Sequence, residues 1–353
     1  MAATPKNRER SEPGLDVLRA LAVVLMFAVH VRRLQSPTTT ATVIDRGLQW
    51  LMWAEPYITS LFVYMAGYSV VLATRSLPDG AKLLRRVSRR AVELVLISIG
   101  LYVMQFGIGW PDIVLSSGIL QVIAIGVVGV ALCLNSPLPD AALASVALLS
   151  LAACFLLEAF QLSVSGLNAG PGGNIPLLAH ACFGALTARV WQGGQLRSRL
   201  LSTAGIAVGS GLAVIAPGPW TTNHVSHYKD LGGETFVSAL LSGSYASAPT
   251  LDVSFWNHST RGAVILLAPL VASTALALWP RFMGAPALLP LRLVGRHALV
   301  IYAAHLCALG ALQLLDLHPK SGAQSLAWIL GLLLLGIASA ATMEQLRARL
   351  ARP

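Results

Sequence analysis

Two ionisable residues stand where hydrocarbon would reject them: Arg19 and His30, in the run RALAVVLMFAVH within the apolar stretch 15–34. A neutral imidazole can take a proton near neutral pH, and a guanidinium can hold an anion or a partner carboxylate. A charge in the bilayer core costs at least a few kcal/mol, so such residues usually face a protein interior and serve function. Eleven helical steps of about 100° return His30 to within roughly 20° of the Arg19 direction, about 16 Å farther along the axis. Both therefore share one stripe of one helix. The same pair also fits structural roles, an arginine snorkelling to headgroups and a histidine hydrogen-bonded inside a bundle. Asp16, one turn before Arg19, either pairs with it locally or joins a site.

The elements that must position these residues are membrane helices. The chain is 55% hydrophobic and 11% charged with mean hydropathy +0.68, too apolar for a soluble domain. Apolar stretches near 20 residues predict an all-α polytopic integral membrane protein of about ten transmembrane helices. They fall near 15–34, 57–74, 91–108, 113–134, 140–162, 175–191, 201–217, 262–280, 296–315 and 324–343. The first is read as a retained span, because no small-residue exit precedes His30, Arg32 and Arg33. With a cytoplasmic N-terminus, all but Arg32, Arg33, Arg46, Lys229, Arg261 and Lys320 of the 25 Lys and Arg fall inside. Both termini are therefore expected in the cytoplasm. The predicted layout is a cytoplasmic arm at 1–14, one transmembrane domain at 15–343 and a cytoplasmic tail at 344–353, with long outer loops at 35–56 and 218–261.

Composition also narrows the function classes. The net charge of +10 is spread between spans, without an aromatic-basic module, so membrane orientation explains it and nucleic acid is not an expected partner. Cys133, Cys154, Cys182 and Cys307 sit singly in apolar sequence and imply neither a disulfide framework nor zinc. The 218–261 loop mixes His224, His227, Asp230, Trp256 and His258, which suits a carbohydrate or other polar ligand and equally an ordinary solvated loop. His224, His227 and Asp230 are too weak a set to predict a metal, and none is expected.

Several motifs carry a resemblance. Leu15-Asp16-x-x-Arg19, ten residues and His30 resemble the opening of acyltransferase family 3, membrane enzymes marked by an R-x10-H motif. SLFVYMAGYSVVLATR, from Ser60 to Arg75, is similar to that superfamily's second-span pattern F-x-x-x-x-G-[FY], followed by a basic cytoplasmic loop. In that loop Arg86-Val-Ser-Arg89 fits the family's R-x-x-R feature. VGRHALVIYAAH, from Val294 to His305, is similar to the pattern G-[RK]-x-S-x-x-I-Y-x-x-H, with Ala298 in place of Ser. GILQVIAIGVV from Gly118 and NIPLLAHACFGAL from Asn174 resemble a related branch, the heparan-alpha-glucosaminide N-acetyltransferase-like proteins, which acylate an amine on a glycan.

The resemblance implies transfer of an acyl group, acetyl in the first instance, from cytoplasmic acyl-coenzyme A to an extracytoplasmic glycan hydroxyl or amine, with no metal. A bacterial inner membrane is the expected location, and O-acetylation and N-acetylation both fit. Such a reaction needs a base and donors for a developing oxyanion. His30 is the expected base or acyl carrier, Arg19 the expected holder of an anionic part of the donor, and the family pattern adds His305 to the active site. Arg85, Arg86, Arg89 and Arg90 are candidates for the coenzyme A phosphates, Arg86 and Arg89 by resemblance; the positive-inside rule would enrich the same loop. His180, Tyr302 and Gln121 are candidates for substrate contact, although His180 fits a satisfied packing histidine better; Glu93 and Glu158 are further interior polar groups, and Glu93 also fits a local counter-charge to the basic loop. The competing reading is a transporter or flippase for an anionic or lipid-linked solute, in which Arg19 and the histidines line the path.

Overall fold

The computed structural model describes residues 12–35, 42–52, 55–106, 112–160, 175–192, 196–215, 260–278 and 286–350, with isolated positions between 107 and 111 and between 161 and 167. Every regular element among them is helical: α1 (Pro13–Leu34), α2 (Val43–Met52), α3 (Glu55–Thr74), α4 (Gly80–Phe106), α5 (Asp112–Leu115), α6 (Ile119–Leu134), α7 (Pro139–Ala159), α8 (Ile175–Gln192), α9 (Leu196–Ile215), α10 (Thr260–Ala277), α11 (Leu289–Arg296), α12 (Ala298–Leu314) and α13 (Gly322–Leu350). A short 3-10 turn, Pro286–Leu288, leads into α11. A helix occupies each of the ten stretches expected from hydropathy. Five of these helices are long and apolar enough to cross a membrane, or six if α11 and α12, bent by 81° at His297, form one span. The others fall short for visible reasons: α4 opens with a charged segment, and α6 has only 16 residues because Gly118, at φ +128°, breaks the helix before it.

Three boundaries differ from the sequence reading. The expected outer loop at 35–56 contains α2, started by a capping box: the Asp45 backbone N–H donates to Thr42 Oγ1 at 3.2 Å, and Asp45 Oδ2 accepts from the Thr42 N–H at 2.9 Å. The expected basic loop is instead the beginning of α4. Asp79 Oδ1 caps it by accepting from the N–H groups of Ala81 and Lys82, and Lys and Arg propagate a helix well. At the other end α13 continues to Leu350, through most of the expected tail. The 218–261 loop lies outside the described residues except for its last two positions, and with it the His224, His227 and Asp230 cluster.

Helix α1 is the wall on which two halves are built. Leu15, Leu18, Ala22, Met26 and Val29 belong to one apolar core, shared with α3, α4, α6, α7, α8, α10 and α12. Ala20, Val23, Phe27, Ala28 and Val31 belong to a second, shared with α2, α11, α12 and α13. At 100° per residue these stripes lie on different sides of the helix, and Arg19 and His30 fall in one seam between them. Leu21, in the opposite seam, is 46% exposed. Accordingly 67% of the α1 span is buried, against 22% for α7 and for α13, which present leucines outward.

Backbones touch where glycine permits it. A Cβ on Gly295 would overlap the Asp16 carbonyl, so α11 can lie directly on α1 only with glycine there. Contacts along α1 fix which ends of the helices are neighbours. Ser69 meets Arg19 and Glu55 meets Arg33, so α3 runs opposite to α1; Arg296 meets Asp16 and His305 meets His30, so α12 rises with it; Ser325 meets Gln35 and Glu344 meets His297, so α13 runs opposite again. Near the His30 end, Asp45 also accepts from Gln35 Nε2 at 2.6 Å, and Gln35 Oε1 accepts from Ser325 Oγ at 2.9 Å, which ties α1, α2 and α13 together.

Replacing Gly295 with Ala should cost about 1–3 kcal/mol by forcing α11 off α1, whereas Gly331→Ala, with open space around it, should be neutral or stabilising; unfolding titrations of both variants in mixed micelles test this. Hydrogen bonds from Thr42 and Gln35 lower the Asp45 carboxyl from its ordinary 3.8 to about 2. Its contribution to stability is therefore present above about pH 4 and lost as pH falls through about 2. The melting-temperature gap between wild type and Asp45→Asn should narrow between pH 6 and pH 2, and a constant gap would contradict that network.

Candidate active site

The first half of the site is a buried carboxylate shared by two arginines. Asp16, 1% exposed, accepts from Arg19 Nη1 at 2.8 Å and lies 3.4 Å from Arg296 Nε. Local spacing explains the first contact, since Asp16 and Arg19 are i and i+3 on α1. Gly295 explains the second, because its contact with the Asp16 backbone brings the next residue alongside the carboxylate. Arg19 Nη2 also donates to Ser69 Oγ on α3 at 2.6 Å. Two guanidiniums against one carboxylate leave this cluster with a net positive charge.

A cavity of about 350 Å³ opens beside it. Arg19, Ser69, Arg90 and Arg296 supply its polar lining, and Phe62, Leu299 and Tyr302 belong to its apolar wall. Arg90 reaches it from α4 while donating to Glu93 Oε2 at 2.6 Å. Three arginines at a mostly apolar cavity suit a ligand with an anionic end and an uncharged arm.

The second half of the site lies farther along α1. His30 Nδ1 and His305 Nε2 are 3.0 Å apart, and the two rings stack with centroids 5.2 Å apart at 13°. Phe27 packs 4.8 Å from the His305 ring and Tyr302 5.3 Å from it. One hydrogen serves this contact. If His30 Nδ1–H donates, His30 Nε2 is left as a bare acceptor; if His305 Nε2–H donates, His30 carries its own hydrogen on Nε2. Two imidazolium rings would each present a donor to the other, so the contact holds only with one ring or both neutral. Beyond it, Arg33 Nη2 donates to the buried Glu55 at 2.8 Å, joining the end of α1 to the start of α3.

The structure therefore brings together Arg19, Arg90, Tyr302, His30 and His305 of the residues expected from sequence. It separates the rest. Arg85, Arg86 and Arg89 are exposed on the first turns of α4 and do not line the cavity; Arg89 is 3.7 Å from Glu93, which bears out the reading of Glu93 as a local counter-charge. His180, fully buried, hydrogen-bonds the Ala263 carbonyl at 2.9 Å and fastens α8 to α10. Gln121 Oε1 accepts from the N–H and hydroxyl of Ser117, while Nε2 donates to the Val114 carbonyl at 2.7 Å, so its amide holds the turn before α6. Glu158 accepts from Cys154 Sγ and from the Thr260 N–H at the start of α10. Among the described residues no three His, Cys, Asp or Glu side chains are grouped to hold a metal.

Sequence reasoning missed Arg296, Ser69 and Phe27. Arg296 stands inside the VGRHALVIYAAH motif, but a basic residue at a span end reads as an orientation signal. Ser69 was visible as a polar residue within an apolar run, and nothing in its spacing pointed to Arg19.

Residues 12–170 match the family described as heparan-alpha-glucosaminide N-acetyltransferase, catalytic. The chain is similar to that family from the start of α1 through α7, a stretch that contains Asp16, Arg19, His30, Ser69 and Arg90. Arg296, Tyr302 and His305 lie beyond it. No curated protein matches the chain.

Replacing Asp16 with Ala should leave Arg19 and Arg296 uncompensated and cost about 3 kcal/mol, the low end for a buried pair because Arg19 keeps 25% exposure. Asp16→Ala/Arg19→Met should recover part of that loss. Unfolding titrations of the single and double variants measure it, and equal stability of wild type and Asp16→Ala would contradict the assignment.

Proposed function

We propose that this chain is a membrane acetyltransferase that acts on glycans. The reading is supported by the match of residues 12–170 to the heparan-alpha-glucosaminide N-acetyltransferase catalytic family and by helices apolar enough to cross a bilayer. The observation that carries it is the order of groups along one axis: three arginines, an apolar cavity, Tyr302, then the His30 and His305 pair.

Acyl-coenzyme A, with acetyl as the acyl group, fits as donor. Its phosphates need cations and its pantetheine arm needs a narrow, largely apolar channel. Arg19, Arg90 and Arg296 offer forked donors at the cavity, and side-chain exposures of 54% for Arg90 and 40% for Arg296 leave them open to an entering ligand. With the termini in the cytoplasm this mouth faces the cytoplasmic donor, and the His30 end faces an extracytoplasmic acceptor. The alternation of helix directions around α1 and the bias of Lys and Arg both favour ten crossings in that orientation. A bacterial inner membrane is the setting that this topology fits.

In the direct route His30 Nε2 removes the proton from the acceptor hydroxyl or amine while His305 holds the ring at Nδ1. The acceptor oxygen or nitrogen bonds to the acyl carbon, the carbon–sulfur bond breaks, and the departing coenzyme A sulfur receives the proton. In the stepwise route His30 Nε2 bonds to the acyl carbon as the carbon–sulfur bond breaks and coenzyme A leaves as its thiol; the acceptor oxygen or nitrogen then attacks the acyl carbon, the carbon–nitrogen bond to His30 breaks, and the imidazole takes up the acceptor proton. An α-glucosaminide amine is the first acceptor to try, given the family name, and a sugar hydroxyl the second.

Coenzyme A release by the purified chain in nanodiscs, with acetyl-coenzyme A and glucosamine-terminated oligosaccharides, tests the proposal. His30→Ala should lower turnover by about 10²–10⁴-fold. Full turnover in that variant would remove His30 from the chemistry, and solute flux without coenzyme A release would favour a transporter. Radiolabelled acetyl-coenzyme A without acceptor should label His30 only if the stepwise route operates.

A further inference from the structure

The cavity and the histidines do not share a lining. Tyr302 belongs to the cavity wall, whereas His30 and His305 do not. Its ring lies 5.3 Å from His305 on one side and 6.4 Å, edge-on, from Phe62, which also lines the cavity. Ala298, Tyr302 and His305 follow at i, i+4 and i+7, so they stand on one face of α12, in order from Arg296 towards His30. Tyr302 is 9% exposed and Phe27 packs against His305 beyond it, so the ring has little room to swing aside in a close-packed interior. Tyr302 thus stands between the cavity and the His305 ring that contacts His30.

We propose that Tyr302, braced by Phe62, is the specificity-determining residue for the size of the transferred acyl group. Acetyl clears the ring and reaches His30; longer chains stop on the arginine side. The inference rests on the acyltransferase reading above. Discrimination by an apolar wall is worth about 10- to 200-fold for each methylene that does not fit. Trimming the wall should therefore change relative preference for donors, even where it also lowers turnover by loosening His305.

The test is the ratio of kcat/KM values for acetyl-, butyryl- and octanoyl-coenzyme A, measured with the full chain in nanodiscs and glucosamine-terminated oligosaccharide as acceptor. Wild type should favour acetyl over butyryl by at least about 10-fold. Tyr302→Phe, which keeps the ring, should preserve that ratio, and Tyr302→Leu should shrink it by about 10-fold or more. Phe62→Leu should shrink it in the same direction and carries the measurement if Tyr302→Leu does not fold. Unchanged ratios in the leucine variants that fold, or a wild type that uses octanoyl as readily as acetyl, would overturn the inference and leave the acyltransferase reading standing. Failure of wild type to release coenzyme A from any donor would overturn that reading and the inference with it.

Discussion

The carboxylate of Asp16 is the fixed point of this structure. It is almost fully buried, it is held on α1 beside Arg19, and it is approached from α11 by Arg296. Burying a carboxylate is tolerable only with charged hydrogen-bond partners, and here the partners come from two separate parts of the chain. Gly295 makes the second approach geometrically available by letting backbone rest on backbone. Once α11 is fixed there, the 81° bend at His297 sets α12 climbing along α1, and that sets Tyr302 and His305 at the height of His30. The positive cluster, the cavity and the histidine pair therefore follow from one buried negative charge.

Polar groups inside an apolar bundle divide by what is left over after pairing. Gln121 uses its oxygen twice and its nitrogen once within a single turn, and His180 spends a ring nitrogen on the Ala263 carbonyl. Such groups join elements. Arg19 and Arg296 exceed the charge of Asp16, and the His30–His305 contact uses a single hydrogen between two rings. Surplus charge at a cavity, with a spare imidazole nitrogen farther along the same helix, is what a transfer reaction from an anionic donor requires.

Much of this was legible in the residues, because helical period is a strong signal. The Arg19 to His30 spacing places both on one stripe of α1, and packing sets that stripe between two apolar ones, with Leu21 opposite. The capping box Thr42-Val-Ile-Asp45 and the Asp79 cap are also present in the sequence, but apolar length alone leaves α2 and the first turns of α4 outside the spans, because neither segment is a long apolar run. The arginine cluster was only partly legible. Arg85, Arg86, Arg89 and Arg90 are alike in type, and only the angle of α4 against the cavity selects Arg90. The partnership of His30 with His305 spans 275 residues, and its geometry depends on the bend at His297 and on the contact of Gly295 with Asp16.

In the proposed acetyltransferase the donor, the cavity and the histidine pair lie on one line. A structure of the chain bound to a non-transferable thioether analogue of acetyl-coenzyme A tests that most directly. The analogue's phosphates should lie against Arg19, Arg90 and Arg296, its pantetheine arm in the cavity, and its acyl carbon past Tyr302 within reach of His30 Nε2. An analogue whose phosphates bind away from those arginines, or whose acyl end points away from Tyr302, would contradict it.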